Sequence, residues 1–180
     1  LVENGANINH LNIFNRTALQ EAVIRANNRI VNYLLQITRT VSNCDIYGNN
    51  LIFDAISNGN IDIIKRIASI KEININQINN DGNTILHKDI VLKNNELALL
   101  LIDFGADPTI LDKEGKSFLF YCISEGIKNI SVLQKVVLLG YDINSKNGQN
   151  KTLLMESINC YLHTPKDNVE IKNSHLEMIK

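Results

Sequence analysis

The chain has 180 residues, 44% hydrophobic and 21% charged, which leaves room for one domain or a short repeat array. A net charge of −1 excludes the basic footprint of a nucleic-acid binder. No apolar run approaches the roughly 20 residues of a membrane span, and the opening "LVENGANINH" has neither the basic nor the apolar region of a signal peptide.

Three cysteines, Cys44, Cys122 and Cys160, lie far apart. An odd, sparse set suits free thiols in a reducing, intracellular compartment rather than a disulfide framework. Asn and Ile make up about three residues in ten, against a much lower average usage. That is the bias of an AT-rich genome, and the sequons at Asn15, Asn129 and Asn150 are its by-products.

In chain order, "LVENGANIN" reads as the tail of a helix and its closing loop. The same pattern then returns five times, aligned on Thr17, Asn50, Thr84, Ser117 and Thr152, at spacings of 33, 34, 33 and 35 residues. A fixed period of this length marks a repeat architecture. An Asn or Asp stands five residues before the aligned site at Asn12, Asp45, Asn79 and Asp112. A Gly or Asn follows it three later, at Asn15, Gly48, Gly82, Gly115 and Asn150; these residues tolerate positive φ and predict a turn. The aligned Thr, Ser or Asn is a helix N-cap, its oxygen accepting from a free N–H of the first turn. A short apolar helix follows, as in Leu19, Ala22 and Val23 or Ile52, Ala55 and Ile56. After a break ("RANN", "SNGN", "LKNN", "SEGI") comes a second helix, as in "RIVNYLL", "IDIIKRI" and "ELALLLIDF". Gly5, Gly105 and Gly140 are C-terminal stop signals. At the far end "HTPKDNVEIKNS", polar and carrying Pro165, predicts a surface loop inserted before a second helix that begins in "HLEMIK".

On "DGNTILH" and "LLLIDFGADP" the chain resembles the ankyrin repeat family, whose D-x-x-G-x-T-P-L-H and G-A-D patterns these approach. The Pro after the Thr is absent from every copy, and His87 alone keeps the family's His, replaced elsewhere by Gln20, Phe53, Phe120 and Met155. The resemblance implies an all-α, ankyrin-repeat solenoid of helix-turn-helix units with β-hairpin fingers. It covers one domain over 1–180: a partial repeat 1–11, repeats of about 12–44, 45–78, 79–111 and 112–146, and a truncated repeat with the insertion, 147–180. It also makes His87 a scaffold residue that hydrogen-bonds within and between repeats rather than a catalytic base.

Little else carries chemistry. Glycines are spread at the repeat spacing, with no phosphate loop, and no cofactor is expected. Asp89 occupies a position held elsewhere by small residues, and Lys93, four residues on, is its expected partner. Cys160, His163 and His175 offer half of a zinc set and lack a second cysteine pair, so no metal is expected.

The expected function is a non-catalytic module that binds a protein or peptide along an extended surface. The resemblance builds that surface from finger tips and first helices. The tip positions are Ile13, Phe14 and Arg16; Ile46, Tyr47 and Asn49; Asn80, Asp81 and Asn83; Lys113, Glu114 and Lys116. The helix positions are Ile24 and Arg25, Ser57 and Asn58, Val91 and Leu92, Ser124 and Glu125. The aromatic Phe14–Tyr47 end, with Arg16, has hot-spot chemistry. The alternative is a substrate-recruiting array of a larger enzyme, such as a secreted bacterial effector acting in the host cytoplasm. Nucleic acid and membrane insertion are not expected, and the fragment is expected to be monomeric.

Overall fold

The computed structural model describes residues 1–38, 40–92, 94–124, 130–165 and 168–179, with backbone alone at 89–92, 130, 170, 174–175 and 178. The described residues are helical and carry no extended strand. Two compact units divide the chain, Leu1–Ile85 and Leu86–Lys180.

The first unit opens with one 3-10 turn, Val2–Asn4, closed by Gly5 in the left-handed region. It holds α1 (Ala18–Ile24), α2 (Asn28–Ile37), α3 (Leu51–Asn58) and α4 (Ile61–Ala68). α1 packs on α2 and α3, and α3 on α4. Leu19, Val23, Val31, Leu34, Ile52, Phe53, Ile56, Ile64 and Ile67 are buried between them. α5 (Ile85–Leu92) leads into the second unit, which holds α6 (Asn95–Asp103), α7 (Phe118–Ser124), α8 (Ile130–Leu138), α9 (Leu153–His163) and α10 (Val169–Ile179). α6 packs on α8, and α9 on both α7 and α10. Leu97, Leu101, Phe118, Leu119, Cys122, Val132, Val136 and Leu153 are buried there.

Each of α1, α3, α5, α7 and α9 begins one residue after an aligned site. The capping chemistry is less uniform than the repeat predicts. Thr17 forms a full capping box with Gln20, and Thr152 Oγ1 accepts from the Met155 N–H at 3.4 Å. Asn50, however, makes no side-chain cap; its Nδ2 turns away to donate to the Asn74 carbonyl at 2.8 Å. Ser117 Oγ is buried without a hydrogen-bond partner, as is Asn50 Oδ1. The second helices are capped by the Asn-rich breaks: Asn27 accepts from Ile30 N, Asn60 from Asp62 N and Ile63 N, and Asn94 from Leu97 N. The break is therefore a capping device as well as an interruption.

The inserted loop is a correction. The stretch read as polar loop is largely helix: α9 runs on to His163, and α10 begins at Val169. Thr164 caps the extended α9 by donating Oγ1–H to the Cys160 carbonyl at 2.7 Å. Asn168 Oδ1 receives the Ile171 N–H at 3.4 Å. Val169, Leu176 and Ile179 recur at helical spacing, so "HLEMI" forms the second half of α10 and does not start it.

Five fingers share one local design. Oδ1 of Asn12, Asp45, Asn79, Asp112 and Asn147 each accepts two backbone N–H groups, two and four residues on, at 2.8–3.1 Å. The third residue after it sits at positive φ: Asn15, Gly48, Gly82, Gly115 and Asn150. Asn147 completes a series that the alignment followed only as far as Asp112.

Candidate protein-interaction surface

Three fingers belong to the first unit, and backbone hydrogen bonds join them tip to tip. Ile46 N donates to Phe14 O at 3.1 Å, and Asn80 N donates to Tyr47 O at 2.9 Å. Gly48 is required at this contact: a Cβ there would lie 2.6 Å from Asn80 Oδ1 and 2.9 Å from Asn80 N. The ladder holds the apolar tips outward. Ile13 is 88% exposed, Phe14 40%, Ile46 48% and Tyr47 50%. Leu11 and Ile78, one residue before their fingers, are exposed as well; an apolar residue ahead of the turn was the available sign of them.

Arg16, Asn49 and Asn80 among these tips are engaged within the chain. Arg16 donates from Nε and Nη2 to Asp45 Oδ2 at 3.1 and 2.7 Å, and its guanidinium lies 5.6 Å from the centre of the Phe14 ring. Asn49 Oδ1 accepts from Asn79 Nδ2 at 3.0 Å, and Asn80 Nδ2 donates to Ile46 O at 2.9 Å. Asn83 is half-buried, and Asp81 is exposed. On the first helices, Ile24 is half-buried and Arg25 is exposed, its Nε 3.5 Å from Glu21 Oε2. Ser57 Oγ donates to Phe53 O, and Asn58 Nδ2 to Val23 O.

In the second unit Lys113 and Glu114 are exposed tips. Lys116 Nζ lies 3.1 Å from Glu114 Oε2 and 5.3 Å from the centre of the Tyr121 ring. Ser124 is exposed. The side chains of Val91, Leu92, Asp89 and His175, and Lys93 and Glu125 entirely, lie outside the described residues.

His87 is buried, and its Nε2 lies 3.1 Å from the Lys116 carbonyl. A carbonyl only accepts, so Nε2 carries the proton. The ring meets Tyr121 edge-on at 5.9 Å and 89°. Burial lowers its pKa below the ordinary 6.5, against the opposing pull of the Lys116 carbonyl and Asp112. Burial alone would raise Asp112; the Tyr121 hydroxyl, 2.5 Å from Oδ2, and the N–H groups of Lys116 and Glu114 bring it below the usual range. The group is a neutral strut between the α5 helix and the next finger. Burial and then nearby carboxylates push the Cys44 thiol up, and burial and Glu156 do the same to Cys160. Raised thiols are poor nucleophiles. His163 Nδ1 lies 2.8 Å from the Asn159 carbonyl. Among the described residues no cluster of three or more His, Cys, Asp or Glu could hold a metal, and no helix is long and apolar enough to cross a membrane.

Helix pairs joined to hairpin fingers at this period define a tandem-repeat protein. The family model for ankyrin repeats in three copies matches residues 1–79 and 52–147, and the chain belongs to the ankyrin repeat family. It is 27% identical over 155 residues to an ankyrin repeat protein of Acanthamoeba polyphaga mimivirus, covering 86% of this chain and 18% of that protein. It is 34% identical over 92 residues to the ankyrin repeat protein YahD of Escherichia coli, covering 48% of this chain and 46% of YahD. The chain therefore spans less than half the length of either relative. The Notch-regulated ankyrin repeat-containing protein of Xenopus laevis is 29% identical over 111 residues, covering 59% of this chain and 96% of that protein. The crystal structure of the ankyrin repeat domain of Bcl-3, a member of the IkappaB protein family, aligns with a TM-score of 0.74 at 18% identity. That alignment covers 94% of this chain and 72% of that one, and it shows the ankyrin fold. Ankyrin repeats are in general non-catalytic protein-interaction modules.

Proposed function

We propose that this chain is a protein-protein interaction module without catalysis of its own, binding a partner protein or peptide on the face formed by its finger tips and first helices. The observation that carries the reading is the row of exposed Ile13, Phe14, Ile46 and Tyr47 on two fingers joined by a backbone hydrogen bond. Large apolar side chains held outward by a rigid ladder are costly unless something covers them, and aromatics give large contact area with few rotors to freeze. The module works inside the cell as a monomer, built of repeats of about 12–44, 45–78, 79–111 and 112–146 between partial segments 1–11 and 147–180.

The test is a pull-down with the intact protein against the double variant Phe14→Ala, Tyr47→Ala. Loss of both rings should cost at least about 2 kcal/mol of binding, the scale of a hot-spot loss, and leave the melting temperature nearly unchanged. Unaltered capture of the natural partner would move the site to Val91, Leu92 and the later repeats. The greater length of the relatives supports a second reading, in which the array recruits substrate for an enzyme domain elsewhere in a longer protein. In that case the same double variant should raise KM for the recruited protein and spare kcat on a small surrogate.

A further inference from the structure

We infer, resting on the finger-tip reading, that the segment bound at the first unit's fingers is apolar and uncharged, held by burial rather than by ion pairing. The one charge on the first two tips, Arg16, is already matched inside the chain. Arg16 is committed to Asp45, whose side chain has no exposed surface. A partner carboxylate that drew Arg16 away would strand that buried carboxylate, which is strongly unfavourable. Arg25 is paired with Glu21. The exposed carboxylate of Asp81 on the third finger would repel an acidic segment. The exposed guanidinium of Arg25 and the partly exposed one of Arg16 would repel a basic one.

Residues 1–85 carry seven Lys or Arg and seven Asp or Glu, so no net field favours either sign. The polar side chains of Asn49 and Asn80 are likewise turned onto neighbouring fingers. What the first two tips leave for a ligand is the aliphatic and aromatic surface of Ile13, Phe14, Ile46 and Tyr47, with the exposed Asp81 on the third. The geometry therefore fits a short segment carrying aliphatic or aromatic anchors, with charge kept away from them.

The experiment is selection of a phage-displayed random peptide library on the immobilised full chain. Enriched peptides are then synthesised with a fluorophore and titrated at about 0.1 M and about 1 M NaCl, where the Debye length falls from about 10 Å to about 3 Å. Enriched sequences should be apolar and near neutral. Their affinity should hold or tighten at the higher salt, and should fall at least about 30-fold on the Phe14→Ala, Tyr47→Ala variant. Strongly charged peptides whose affinity drops at least about tenfold at high salt, yet still need Phe14 and Tyr47, would overturn the partner class and leave the surface standing. Peptides indifferent to the double variant, or no enrichment above a bare support, would overturn both.

Discussion

Ala26 carries a left-handed backbone, φ +54, between α1 and α2, where the next repeat places Gly59 at φ +76. A left-handed conformation costs an L-residue about 1–2 kcal/mol. Glycine avoids that cost and returns about 0.4–1 kcal/mol through its freer unfolded chain. Ala26→Gly should therefore raise stability by up to about 1 kcal/mol, read as a higher urea midpoint; a lower midpoint would show that the turn does not need this conformation. His87 makes a second residue-scale prediction. Its folded pKa lies below the ordinary 6.5 because burial favours the neutral ring. Below about pH 6.5 the unfolded chain binds a proton that the folded chain resists. This contribution is complete above that pH and is lost as pH falls toward the folded value. The denaturation midpoint should drop between about pH 7.5 and about pH 5.5, and the drop should shrink in His87→Gln. His87→Ala should cost about 1–3 kcal/mol by stranding the Lys116 carbonyl.

The helix starts were legible because period and capping residue coincide. The chain states Thr, Asn, Thr, Ser and Thr at near-constant spacing, and one turn-forming finger ahead of each leaves little freedom for the boundary. Whether each cap bonds is decided by the side chain's surroundings, and two otherwise equivalent positions test this. Thr17 sits in a complete capping box, so Thr17→Ala should cost about 1 kcal/mol. Ser117 Oγ is buried with no partner, so Ser117→Ala removes a desolvated hydroxyl and should be neutral or stabilising. Thermal melts of the two variants should move apart, and a Ser117→Ala loss equal to that of Thr17→Ala would place a bond at Ser117. α10 was less legible. Its apolar residues are thinly spaced among Asn, Lys and Glu, and Pro165 precedes them, so composition spoke for a loop while Val169, Leu176 and Ile179 kept the helical period.

Each unit is held by neighbour-on-neighbour packing, α1 on α3 in one and α7 on α9 in the other. Stability in such arrays is approximately a sum of local and nearest-neighbour contributions, and opening begins where neighbours are fewest. In the first unit the amides of Ile52–Ile67, a segment that holds the deeply buried Ile52, Phe53, Ile56, Ile64 and Ile67, should exchange far more slowly than those of the Val2–Asn4 turn. In the second unit α10, packed on α9 with Val169 and Leu176 exposed, should exchange faster than α7. Hydrogen exchange followed by mass spectrometry reads both orderings, and strongest protection in α10 would contradict this account.

The exposure of Ile13, Phe14, Ile46 and Tyr47 was legible from their place at the finger tips, because local turn geometry fixes which way such residues face; the scaffold place of His87, inside α5, was legible only through the family resemblance. The choice between Asn and Asp at the head of each finger was not. The turn uses only Oδ1, which both residues supply. The second atom answers to a neighbour distant in sequence or on the following helix. Asn12 donates Nδ2 to Glu21 Oε1, and Asn79 donates to Asn49 Oδ1. Asp45 accepts from Arg16, and Asp112 from the Tyr121 hydroxyl. The sequence by itself determined the period, the turns and the starts of α1, α3, α5, α7 and α9, because these depend on φ preference and on hydrogen bonds spanning a few residues. Tertiary structure alone decided which polar groups are spent within the chain, since a donor and acceptor about thirty residues apart, like Arg16 and Asp45, meet only once the repeats have stacked.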